Sequence, residues 1–253
     1  LKNGRITKLT TEKGYYYSPK YSGKGDKIVY RKGSGNDVLG YPFGKNTGIY
    51  IMQANGANPK LISDNGIRPM FNNTDDRVFF QSSEGGKKAL KSIDLNGGTP
   101  KTHYTSTYAN LFVPSPDGKW IAFTELFNVY ITPMVTSGTA LDLSSTNKTL
   151  PLMKVSRDAG NYLHWSNDGQ SLNWTLGPQY FSRDIKNSFA FVPGAPEKLP
   201  AIDSLGVNIG LKLKSDIPTG KIAITGARII TMKGDEVIEN GTILIEKNRI
   251  TAI

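Results

Sequence analysis

Four ten-residue windows of this chain align without a gap, and a sequence that repeats itself at such spacing folds as an array of similar units. They are YSGKGDKIVY at 21–30, FNNTDDRVFF at 71–80, PSPDGKWIAF at 114–123 and WSNDGQSLNW at 165–174, with starts 50, 43 and 51 residues apart. The second column holds Ser22, Asn72, Ser115 and Ser166, short polar side chains that hydrogen-bond the backbone of a tight turn. The fifth holds Gly25, Asp75, Gly118 and Gly169, residue types that tolerate positive φ. The eighth (Ile28, Val78, Ile121, Leu172) and the tenth (Tyr30, Phe80, Phe123, Trp174) are apolar and two apart. They therefore share one face of the strand that follows the turn.

A second match falls later in two of the units. NGANPK (Asn55 to Lys60) and NGGTPK (Asn96 to Lys101) follow the β-rich runs IYIMQ and LKSIDL, and Asn-Gly in that setting signals a hairpin. Each repeat thus holds roughly four short strands in about 40–50 residues, the size of one β-propeller blade. The predicted blades are 15–62, 67–105, 108–155 and 159–214, and GRITKLT (Gly4 to Thr10) reads as the last strand of an earlier one.

These residues carry a resemblance. YSPKYSGKGDKIVY, VPSPDGKWIAF and HWSNDGQSLNW resemble the PD40 repeats of TolB-like propellers, which are relatives of WD40 blades. The second window departs from the pattern, with Asp75-Asp76 in place of Asp-Gly. Such propellers carry more blades than the four legible here, so the resemblance implies an incomplete ring, with further blades before Leu1 or an unusual closure.

The final stretch has another character. GKIAITGARIITMKGDEVIENGTILIEKNRITAI (Gly220 to Ile253) places Ile243, Ile245 and Ile250 on a period-two pattern, and SDIPTG (Ser215 to Gly220) makes a junction. This stretch resembles the N-terminal strands of metal-dependent amidohydrolases, in which a small β-sandwich flanks a barrel and is completed by strands that follow it. The two resemblances together are similar to bacterial amidohydrolases that carry a TolB-like propeller. They imply an all-β chain, with a propeller over 1–216 and partial sandwich strands over 217–253. They also imply a parent enzyme that hydrolyses C–N bonds with a divalent metal, zinc first among candidates, held by His and Asp beyond Ile253. The partner would be the remaining amidohydrolase domain, with homo-oligomers left open, and the compartment periplasmic or otherwise extracytoplasmic. The alternative is a non-catalytic TolB-like binding module. If the tail is half a sandwich, its strands are expected to be covered by something else.

Composition narrows the chemistry. No cysteine is present, which excludes disulfides, thiolate metal sites and cysteine nucleophiles. Net charge is +10, yet the lysines are scattered and no basic run interleaves with aromatics, so nucleic acid is not an expected partner. No apolar run is long enough to span a bilayer, and no leader is evident. The two histidines, His103 and His164, lie in different repeats, whereas a catalytic zinc needs three protein ligands. A structural role is expected for His164, and a solvated or structural one for His103. GSGNDVLG (Gly33 to Gly40) opens no helical pattern and reads as an inter-strand loop rather than a phosphate cradle. No Gly-x-Ser-x-Gly elbow occurs. No catalytic, cofactor-binding or metal-ligating residue is assigned within the chain, and the chain alone is expected to be inactive.

Overall fold

The computed structural model describes residues 6–33 and 45–253. It is all-β and forms two compact units, the first ending at Ile209 and the second spanning Gly210–Ile253. The loop candidate 34–40 lies outside the described residues, with Gly33 closing a strand.

The first unit contains four sheets in chain order. Strands β1 (Tyr15–Tyr21), β2 (Lys27–Gly33), β3 (Gly48–Gln53) and β4 (Lys60–Ser63) form the first, an antiparallel meander. The second meander is β5 (Ile67–Phe71), β6 (Arg77–Glu84), β7 (Lys87–Asp94) and β8 (Lys101–Ser106). The third sheet is β9 (Ala109–Pro114), β10 (Trp120–Glu125), β11 (Asn128–Pro133) and β13 (Met153–Lys154), with β12 (Leu141–Asp142) between the last two in the chain. The fourth has β14 (Asn161–Trp165), β15 (Ser171–Leu176), β16 (Gln179–Asp184) and, after a long irregular stretch, β17 (Val207–Asn208).

The turn between the first two strands of each sheet shows why the windows align. Ser22, Asn72, Ser115 and Ser166 each accept, through the side-chain oxygen, the amide of the residue five positions on, at 3.1, 3.0, 2.9 and 2.9 Å. The fifth-column residues Gly25, Asp75, Gly118 and Gly169 all have positive φ, at 71, 59, 72 and 70°. Asp75, the departure from the repeat, adds a second function. Its carboxylate accepts the amides of Gly23 at 2.7 Å and Lys24 at 3.0 Å, joining the turn of the second sheet to that of the first. Asp75→Ala is expected to cost about 1–2 kcal/mol in urea denaturation, from two lost charge-assisted bonds. Asp75→Gly should cost roughly 1 kcal/mol less, because glycine takes the positive φ without steric penalty.

The apolar columns pack sheet on sheet. Phe80 and Val78 bury against Val29, Ile49 and Ile51 of the first sheet. Phe123 and Ile121 bury against Phe79, Leu90 and Tyr104 of the second. Trp174 and Leu172 do the same with Trp120, Ala122 and Ile131 of the third. Tyr30 is buried too, but on the outer face of the first sheet, among Leu9, Tyr16, Tyr50 and Met52. Removal from water there pushes its phenol up to about 12.

Two expectations are corrected. The described part of the early strand, Ile6 to Thr10, is irregular; Leu9 lies against Gly56, where an added Cβ would meet its carbonyl oxygen at 2.6 Å. The third repeat is not self-contained either: β12 leaves it to pair in parallel with β8 of the second sheet before β13 returns. Two residues suffice for this pairing because Leu143 is buried at its end and its amide bonds the Thr105 carbonyl at 2.8 Å.

The second unit is a single antiparallel sheet of β18 (Lys221–Ile230), β19 (Val237–Glu246) and β20 (Arg249–Ala252). Ile222 pairs with Ile245, Ile224 with Ile243, and Ile245 with Ile250, so these five side chains share one face. Ile222, Ile224 and Ile250 are 59%, 47% and 61% exposed. Among the described residues of this sheet only Ile229, over Gly241, is buried.

Candidate functional site

The leading strands β1, β5, β9 and β14 line a common cavity of about 950 Å³. Three of the four carry the same irregularity. Ser18 and Pro19 together oppose Tyr30, Arg68 and Pro69 oppose Phe80, and Tyr162 and Leu163 oppose Trp174. Two residues against one define a β-bulge, which bends a strand and re-aims its side chains. The fourth strand, β9, has its bulge nearer the start, at Asn110.

The first bulge residues Ser18, Arg68 and Tyr162 hold positive φ of 49, 53 and 56°. For side chains of these types such a backbone costs about 1–3 kcal/mol and persists only where the surroundings enforce it. Here the enforcing element is the aromatic of the tenth column, buried opposite each bulge in the sheet core. The same register therefore fixes the core and presents Ser18, Lys20, Arg68 and His164 to the cavity.

Hydrogen bonds tie the second and fourth sheets to the leading strand of the third. Arg68 Nη1 donates to the carbonyl of Asn110 at 3.1 Å, Gln81 Nε2 to that of Phe112 at 3.0 Å, and Trp165 Nε1 to that of Val113 at 2.8 Å. Met70, Leu111, Val113 and Trp165 give the cavity an apolar wall, with Asn73 and Asn167 nearby. Lys20 and Arg68 are its cations, and Asp75, committed to two backbone amides, is its carboxylate.

The sequence places no ligand role on either histidine, and the structure separates them. His164 is exposed at the cavity, its Nε2 3.2 Å from the Tyr180 hydroxyl and its Nδ1 2.9 Å from the Tyr162 carbonyl oxygen. The bulge at Tyr162 and Leu163 turns this part of the strand toward the cavity. His103 lies within the second sheet, its Nε2 2.8 Å from Ser92 Oγ and its ring edge-on to Phe79. Burial, then the nearby Lys101 and Arg77, push its pKa down from 6.5 to about 4. Between those values the unfolded chain binds a proton that the folded chain refuses, so stability falls as pH drops from 6.5 toward 4. Asp26, Asp76 and Asp168 are held below 3.8, and Glu12 and Glu84 below 4.5, by hydrogen bonds, so their own loss of stability enters only at the acid end of that window. His103→Gln is therefore expected to flatten the melting temperature between pH 6.5 and 4; an unchanged slope would assign the dependence elsewhere.

Lys20, Arg68 and the bulges escape the sequence reading. Their one local signal is Pro19 and Pro69, each inside a strand, where proline marks an edge or a bulge. Among the described residues no group of three or more His, Asp or Glu converges to hold a metal.

No protein-family model matches the chain, and no curated protein does. Solved structures similar to it include TolB from Acinetobacter baumannii, at 20% identity and TM-score 0.48, covering 69% of this chain and 41% of that one. An oligogalacturonate lyase in complex with manganese matches at 11% identity and TM-score 0.48, covering 69% and 48%. The β-propeller domain of the trilobed protease from Pyrococcus furiosus matches at 11% identity and TM-score 0.38, covering 68% and 57%. The chain thus spans less than half the length of the first two. The neighbours of this all-β chain are TolB-like and other β-propeller structures.

Proposed function

We propose that the chain is the TolB-like propeller portion, with the first sandwich strands, of a bacterial metal-dependent amidohydrolase whose hydrolytic residues lie outside it. The supporting observation is the exposed apolar face of the second unit, where Ile222, Ile224 and Ile250 stand open on a sheet of three strands. So small a sheet needs a partner layer, and the remaining strands of a sandwich would supply one. On this reading the propeller packs on the catalytic domain and shapes access to it, and the enzyme works in the periplasm or another extracytoplasmic compartment. No helix of the described residues is long and apolar enough to cross a membrane.

The divalent metal of that reaction, zinc in the first instance, does not fit the described residues. His103 is tied to Ser92 inside the second sheet and His164 sits in the fourth, without acidic neighbours to complete a ligand set. On this reading the metal belongs to the catalytic domain. The coding sequence past Ile253 tests the reading: a His-x-His pair after an apolar strand is expected, and a stop codon directly after Ile253 would overturn it. A second reading, a non-catalytic binding module, draws support from the cavity between the leading strands.

A further inference from the structure

Lys20 and Arg68 enter one cavity from β1 and β5, and among the described residues neither forms an ion pair. Asp75, the carboxylate lining the cavity, already receives the Gly23 and Lys24 amides. Arg68 is held on a backbone of positive φ and spends one nitrogen on the Asn110 carbonyl, and the rest of its guanidinium fork has no hydrogen-bond partner among the described residues. Beside these cations stand Met70, Leu111 and Trp165. A cavity of about 950 Å³ is of the size that encloses small ligands, with apolar walls for affinity and a few polar groups for orientation.

We infer that this cavity binds a small molecule with one carboxylate on an apolar body, such as the free C terminus of a short peptide or an acylated amino acid. Arg68 offers the planar fork that a carboxylate accepts in two parallel bonds. Lys20 supplies the second charge, and Met70 and Trp165 meet the apolar part. A phosphate head is disfavoured, because phosphate sites use runs of backbone N–H groups at helix starts or nests. Among the described residues no helix start lies in the lining of this cavity. The site serves equally an enzyme's accessory domain and a binding module, so it does not depend on the amidohydrolase reading.

The test is calorimetric titration of the full 253-residue chain with N-acetyl-leucyl-phenylalanine and N-octanoyl-glycine, each as the free acid and as the C-terminal amide. The acids are expected to bind about a hundredfold more tightly than the amides, the yield of two charge-assisted contacts of about tenfold each, and to weaken as salt rises. Arg68→Met and Lys20→Met should each reduce acid binding about tenfold and leave the amides unchanged. Arg68→Met also removes the bond to Asn110, so Lys20→Met, at a side chain with no hydrogen bond among the described residues, keeps the test decisive if the first variant misfolds. Equal affinity for acid and amide, unaltered binding by Lys20→Met, no binding of either acid, or tighter binding of inorganic phosphate would each overturn the proposal.

Discussion

Trp174→Ala is expected to destabilise the first unit by about 3–5 kcal/mol, the loss found when a large aromatic leaves a packed core. The ring is 2% exposed and stacks on Phe181 with centroids 5.6 Å apart and planes 3° from parallel. It fills the space between the third and fourth sheets together with Val129, Ile131 and Leu163. Gly160 lies so close that an added Cβ would meet Trp174 Cδ1 at 2.7 Å and Val129 Cγ2 at 2.4 Å. The backbone already approaches the ring as far as it can, so collapse into the void requires the sheets themselves to shift. Trp174 also sits opposite the bulge at Tyr162 and Leu163. Its removal frees the strained φ of Tyr162 to relax, and His164 would lose its fixed approach to the cavity. Urea denaturation followed by the fluorescence of Trp120 and Trp165 measures the effect. A loss below about 1 kcal/mol would mean that the ring is not packed between sheets.

What the sequence makes legible is mostly local. The turn columns can be read because a serine or asparagine bonding the amide five residues on, with a residue of positive φ between, is written entirely within ten positions. The aromatic column can be read for the same reason: period two after a turn fixes a face. The bulges cannot. Ser18, Arg68 and Tyr162 are neither glycine nor asparagine, and their φ is imposed by aromatics on the following strand, beyond the intervening turn. Cavity residues carried on those bulges are hidden with them. Asp75 looks like a defect in the repeat because its bonds go to a different turn, 52 and 51 positions back. The parallel pairing of β12 with β8 has only two residues, too few for periodicity to register. GRITKLT has a strand-like pattern, but in its described part, Ile6 to Thr10, no ladder partner takes it up. In the tail the alternation of isoleucines is plain. Their exposure is not, since it depends on what lies over the sheet rather than on the strand.

The functional reading follows from that division. On the proposed reading the metal ligands belong to the catalytic domain; among the described residues no group of three or more His, Asp or Glu converges. An amidohydrolase uses its metal to lower the pKa of a bound water and to polarise the carbonyl under attack. Without three protein ligands and an open position there is no such water to generate. On the proposed reading, residues 1–253 without the catalytic domain are expected to show no hydrolysis at all, a larger effect than any single substitution considered above.

Amide hydrolysis by purified residues 1–253, beside the product of the complete reading frame, is the direct measurement. With zinc or manganese added, residues 1–253 are expected to hydrolyse none of a panel of N-acyl amino acids, dipeptides and cyclic amides. The complete product is expected to hydrolyse at least one of them and to lose that activity to a chelator. Metal-dependent turnover by residues 1–253, or a complete product that is inert across the panel and binds no metal, would contradict the assignment.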